Sequence, residues 1–163
     1  MDKILGVGNA LTDVSAALKK DDILKEIGLP KGGMVHIDTV TFERLMQILE
    51  RLEHTVTPGG SVANSCRAMA RLGMPTGFIG KVGRDQMGLL YAQSLTSVGV
   101  ENRLITSETL PSGVCCAFIS EGGERTFADH MAASLDLRAE DLTEERMQGY
   151  QYLFLEGYLV PNH

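Results

Sequence analysis

Gly59 and Gly60 lead into a segment, Ser61 to Gly73, whose apolar residues recur with helical period, and Asn64 follows one turn in. A glycine pair at a helix N-terminus has a defined chemical use. Without Cβ atoms the backbone can approach a ligand closely, and the first N–H groups of the helix, lacking intrahelical partners, point at hydroxyls or anions. Asn64 would offer the same ligand both a donor and an acceptor. The spacing suits equally well a tight turn with Asn64 on a solvated face, and spacing alone leaves both readings open. Two carboxylates extend the set. Asp13 lies just beyond the apolar run Ile4 to Gly8, where by itself it reads as a turn or cap residue. Glu156 stands just past the apolar run Tyr152 to Leu155. The carboxyl end of a parallel strand is where open α/β sheets place ligands; the alternative is a structural hydrogen-bonding carboxylate.

Other chemistries find less support. Gly6-Val7-Gly8 invites a dinucleotide-binding reading, but Leu11 stands where the third glycine belongs and no clear helix opens after it. Cys66, Cys115 and Cys116, an odd number with an adjacent pair, form neither a disulfide framework nor a zinc spacing. With no histidine or basic residue close by in sequence, the adjacent pair reads as packing rather than nucleophilic. A net charge of −6 gives no reason to expect nucleic acid or an acidic membrane as partner. No apolar run approaches a membrane span, and the first residues lack the apolar core and cleavage site of a signal peptide.

The elements that must position these residues follow from period and punctuation. Ile4 to Gly8 predicts a buried strand, residues 21–28 a short helix, and Met34 to Ile37 a further strand. Thr41 is expected to cap a helix running to about His54, with Phe42, Leu45, Met46, Leu49 and Leu52 as its apolar stripe. Ala63, Cys66, Met69 and Ala70 share the inner face of the helix after the glycine pair, which stops at Gly73. Thr76 to Val82 predicts one buried strand, and Asp85 a cap for a helix ending at Gly99. Strand and helix in alternation argue a parallel sheet with crossover helices. From Arg103 the texture changes: 103–106, 113–120 and 125–128 are strand-like, and 121–124 is a hairpin connection. Thr143 can cap a short helix, and Tyr152 to Leu155 predicts a buried strand.

Gly59, Gly60, Asn64, Gly73 and Gly83 stand at the spacing of the first signature of the ribokinase family, the PfkB carbohydrate and nucleoside kinases, which this chain resembles. Val62 and Cys66 depart from it, since smaller residues are usual there. Residues 8–16, GNALTDVSA, are most similar to the adenosine kinase-like branch. The resemblance implies an α/β fold, a ribokinase-like parallel sheet flanked by helices, with a small projecting β-sheet lid whose strands come from about 9–40 and 103–128. It implies that Asp13 holds two sugar hydroxyls, that Gly60 and Ser61 present backbone or hydroxyl donors, that Asn9 and Asn64 orient ring oxygens or hydroxyls, and that Gly59 belongs to the same substrate-binding set. Cys115 or Ala117 would lie near substrate, with alternation unable to say which face looks inward. Glu156 is a further site candidate.

The activity so implied is transfer of the γ-phosphate of ATP, with Mg²⁺, to a primary hydroxyl of a sugar or nucleoside. The family's second signature is a Gly-Ala-Gly-Asp turn that supplies the anion hole and the base; the 163 residues contain neither that run nor a Walker-type loop. Members of the family are roughly twice as long. Residues 1–163 are therefore expected to be the N-terminal, substrate-binding part of one ribokinase-like domain, inactive alone, without the ATP-binding half. The alternative is a short binding or interaction module that keeps the sugar pocket without chemistry. A stop just after a strand, before any covering helix, favours truncation. A cytoplasmic protein is expected, with a homodimer through the lid edge possible.

Overall fold

The computed structural model describes residues 1–160. Two sheets organise them. The first is all parallel and takes β1 (Ile4–Val7), β5 (Thr76–Ile79), β7 (Glu101–Asn102) and β11 (Tyr152–Leu155), in the order β11-β1-β5-β7. The second is mixed and has five strands: β2 (Leu11–Ala17), β3 (Met34–His36), β4 (His54–Pro58), β9 (Gly113–Ile119) and β10 (Arg125–His130), in the order β3-β10-β9-β2-β4. A short parallel pair, β6 (Lys81–Gly83) with β8 (Ile105–Ser107), stands beside the first sheet. The helices are α1 (Asp22–Glu26), α2 (Thr39–Leu49), α3 (Ser61–Arg71), α4 (Gln86–Thr96) and α5 (Glu144–Met147).

Each sheet has its own core. The parallel sheet is covered on one face by α3 and α4, where Val62, Ala63, Cys66, Tyr91 and Leu95 pack on Phe78 and Val100. Leu5, Val7 and Ile79 fill its other face against Leu137, Leu142 and Met147. Gly6 and Gly8 point toward α3: a Cβ on Gly6 would fall inside 3.0 Å of Cys66 Sγ and Val62 Cγ1, and one on Gly8 would meet Glu156 and Val62. The two glycines that resembled a dinucleotide fingerprint are thus spacers for close helix–strand packing. They also make room for Val62 and Cys66. The five-stranded sheet packs one face, with Val14, Val114, Cys116, Phe118 and Ala128, against Leu24 of α1 and Leu45 and Leu49 of α2. The 113–130 hairpin belongs to this lid and not to the parallel sheet.

Several local expectations need correction. The strand expected over Thr76 to Val82 breaks at Gly80, and β6 leaves the main sheet to pair with β8. A Cβ at Gly80 would crowd Phe78, Ala10 and the Gly8 carbonyl, so a glycine fits where the strand breaks. Asp38, not Thr41, caps α2, its carboxylate accepting from the Thr41 N–H at 2.8 Å. That helix ends at Leu49, and His54 opens β4 instead of closing a helix. The strand from Tyr152 to Leu155 forms, but it is exposed rather than buried, at 58%, 50%, 40% and 52% along its length. It is the outermost strand of its sheet, bonded to β1 alone among the described residues.

Candidate functional site

The site forms where the two sheets meet. β1 ends at Val7, and the chain crosses through Asn9 into β2 of the lid; β4 returns from the lid through Gly59 and Gly60 into α3. Gly60 is the N-cap residue of α3 with φ at 84°, a left-handed conformation that glycine alone adopts without strain. A Cβ there would strike the Asn9 carbonyl oxygen. No side chain caps α3, so the N–H groups of its first turn face outward without intrahelical partners. Gly59 lies directly over Asp13 of β2, so close that a Cβ would collide with the Asp13 carboxylate. One glycine therefore bends the backbone, and the other lets a carboxylate sit beneath it.

The turn is braced from behind by Arg67, which is 8% exposed. Its Nη2 donates to the carbonyls of Pro58 at 2.6 Å and Gly59 at 2.9 Å, and to Asn64 Oδ1 at 2.8 Å. The guanidinium lies 5.5 Å from the ring centroid of Tyr91, whose hydroxyl donates to the Gly59 carbonyl at 2.8 Å. Burial pushes the Tyr91 hydroxyl well above its ordinary pKa, with Arg67 opposing, so it serves as a neutral donor. Arg67 escaped the sequence reading because it sits among the small residues of an apolar face, four positions after Ala63. Asn64 is exposed and spends one acceptor on Arg67.

Glu156 ties the same corner together. Its Oε1 accepts from the Asn9 N–H at 2.6 Å, and its Oε2 accepts from the Ser61 hydroxyl at 2.5 Å. Asn9, Ser61 and Glu156 form one hydrogen-bonded group; Asp13 and Gly59 form a second contact beside it, with Gly60 between. All seven candidate residues thus gather around one junction. The geometry fits Glu156 as a clamp between β1 and α3, using both oxygens on the protein itself.

The lid contributes a face as well as an edge. Register aligns Thr57, Asp13, Cys115, Asp129 and His36 across all five strands. Neighbouring rows, with Val14, Cys116 and Ala128, face the helices, so this row faces away from them. Cys115 and Ala117 share that outer face, away from α1 and α2. Burial first and the Asp129 charge second raise the Asp13 carboxyl above its ordinary value, with Arg67 pulling the other way. Burial, then Asp129, also push the Cys115 thiol far above the usual range; Cys116 is pushed up to about 12. Neither thiol is a ready nucleophile. A cleft of about 1240 Å³ opens at the opposite end of the lid, between Lys19, Lys20, Arg51 and His54, and holds none of the seven candidates.

Comparison with known proteins bears on the family and the fold. The pfkB family carbohydrate kinase profile matches residues 32–163. A 5-dehydro-2-deoxygluconokinase from Geobacillus thermodenitrificans is 33% identical over 120 residues, covering 68% of this chain and 35% of that protein. Adenosine kinase 2 of Arabidopsis thaliana is 24% identical over 164 residues, covering 96% of this chain and 47% of its own. The crystal structure of adenosine kinase from Sinorhizobium meliloti superposes with a TM-score of 0.80 at 28% identity, over 97% of this chain and 48% of that one. The chain spans about a third to a half of the length of these relatives. With a ribokinase-like fold and a family profile matching most of its length, the chain belongs to the pfkB family of carbohydrate kinases.

Proposed function

We propose that this chain is the substrate-binding part of an ATP-dependent, adenosine kinase-like sugar or nucleoside kinase, which phosphorylates a primary hydroxyl. The observation that carries the reading is the Asp13 carboxylate held under Gly59, beside the uncapped N-terminus of α3. A diol reaching this corner finds an anion to accept its protons and backbone N–H groups to donate to its oxygens. Asp13 takes the two hydroxyls, the Gly60–Ser61 turn supplies donors, and the Asn9 and Asn64 side chains orient the rest of the sugar. Ser61 and Glu156 hold the turn in place. ATP with Mg²⁺ supplies the phosphoryl group, and its site and the catalytic base lie outside these residues. Three free thiols suit the reducing cytoplasm.

The test is Asp13→Ala in the full-length gene product. Each hydroxyl bond to a charged acceptor contributes roughly 1.5–3 kcal/mol, so kcat/KM for the best substrate among adenosine, ribose and fructose is expected to fall by about two to four powers of ten. Asp13→Asn, which still accepts one bond, is expected to lose less. A folded Asp13→Ala enzyme with unchanged kinetics would overturn the reading.

A further inference from the structure

Asp129 has no part in the site as described so far, and its surroundings are unusual. It is 5% exposed, and its Oδ1 is one of two buried side-chain atoms without a hydrogen-bond partner among the described residues. The other, His130 Nδ1, lies on the opposite face of β10, where the ring stacks on Phe42 and its Nε2 pairs with Thr39. A buried carboxylate oxygen left unpaired is costly, and such groups are retained where something else supplies the donor. Register puts Asp129 on the same outward row as Asp13, with β9 and Cys115 between them. Two interstrand spacings separate the two acids, about 10 Å. A furanose with a substituent, or an open hexose, spans that distance. The Asp129 charge on this face raises the cost of ionising Asp13.

We propose that Asp129 is a specificity-determining residue, accepting a hydrogen bond from an N–H or O–H group of a neutral substrate at the end opposite the hydroxyls held by Asp13. This rests on the functional reading above and deepens it. An exocyclic amine of a nucleoside base and a distal hydroxyl of a sugar share this chemistry. A sugar acid does not: its carboxylate would face the Asp13 and Asp129 carboxylates of this row. The residue therefore favours neutral, donor-rich substrates and rejects acids.

The experiment measures Kd by calorimetry and kcat/KM in the full-length gene product for wild type, Asp129→Ala, Asp129→Asn and Asp13→Ala. The probes are adenosine, purine riboside (the same nucleoside without its amine), fructose and gluconate. For the donor-bearing probe that wild type binds best, Asp129→Ala is expected to weaken binding roughly ten- to hundredfold. If adenosine responds and purine riboside does not, the amine is the donor; if fructose responds, the hydroxyl is. Gluconate binding is expected to improve in Asp129→Asn. That isostere keeps the side-chain shape, so the selective response can be read in it even where the alanine variant folds poorly. Equal weakening of adenosine and purine riboside with no response of fructose, or unchanged binding of every probe, would overturn the role of Asp129. If Asp13→Ala is also without effect on any probe, the functional reading falls with it; if Asp13→Ala alone is impaired, that reading stands and only the inference about Asp129 fails.

Discussion

Asp13 is held where a carboxylate is least comfortable, half-buried under Gly59 and facing a second acid. A carboxyl whose folded-state pKa lies above its ordinary value of 3.8 binds its proton more tightly in the fold than in the unfolded chain. Ionisation above that pH therefore costs stability, and the cost vanishes at pH values below it, where both states are protonated. Asp13→Asn is expected to raise Tm at pH 7, with the gain fading as pH falls through the acid range, while the same variant loses kcat/KM. Thermal melts from pH 3 to pH 7 check this; a lower Tm at pH 7 would mean the carboxylate acts as a structural cap. Arg67 behaves in the opposite way. Its guanidinium satisfies the carbonyls of Pro58 and Gly59 from a buried position, so Arg67→Met is expected to cost about 2–4 kcal/mol in urea unfolding. Because that loss releases the Gly59 turn, binding of the sugar is expected to weaken with it.

Among the elements, α4 shows how a cap also stitches two parts of the chain. Asp85 accepts from the Gly88 N–H at 2.8 Å, and from the Ser112 N–H and hydroxyl at 2.7 Å each. Burial by itself would raise the Asp85 pKa; the bonds from Ser112 and Gly88 outweigh it and leave the carboxyl below its ordinary range. Its stabilisation is thus present above pH 3.8 and lost as pH falls through the depressed folded value. Asp85→Ala is expected to cost about 2–4 kcal/mol at pH 7 and progressively less in acid. Asp85 was legible as a cap because capping is a local pattern. Its hold on Ser112 was not, since nothing in sequence joins residues 27 apart. The same divide runs through the fold. The helix after Gly60 and the 113–130 hairpin were readable from period and turn chemistry. β4 was hidden because a lid-edge strand of exposed threonines around Val56 has no alternation to display. The seven candidate residues were named from spacing that resembles a family and, for Glu156, from its place past a strand end, whereas Arg67 and Asp129 depend on register and burial that only the folded chain supplies.

The described residues pack as two parts, the lid with its helices and the parallel sheet with its own, joined by thin crossings. One core lies between the lid and α1–α2, the other about the parallel sheet, and the chain passes between them near residues 8–11, 58–61, 108–112 and 130–132. No Gly-Ala-Gly-Asp run occurs in the sequence, so these 163 residues alone are expected to transfer no phosphate from ATP to adenosine, ribose or fructose. Turnover above a protein-free blank, by protein of this verified mass, would contradict that. Binding is a separate matter, because the residues proposed to touch the sugar straddle the junction. Asp13 belongs to the lid and the Gly60–Ser61 turn to α3, and the crossings between them are held by a handful of bonds, from Glu156 to Asn9 and Ser61, from Arg67 and Tyr91 to the Gly59 turn, and from the Gly59 N–H to the Leu11 carbonyl. Local opening follows such thinly held segments, while strands inside either core open only with global unfolding. A sugar that bonds both Asp13 and the α3 N-terminus adds links across the junction and none within a core. In the full-length gene product, saturating substrate is expected to slow amide hydrogen exchange most at residues 9–13 and 58–63. The core strands β5 and β9 are expected to change little. Exchange in Asp13→Ala should then lose most of that protection at equal ligand concentration. Protection spread evenly over both cores, or absent from the two crossings, would show that the substrate does not bridge the lid and α3.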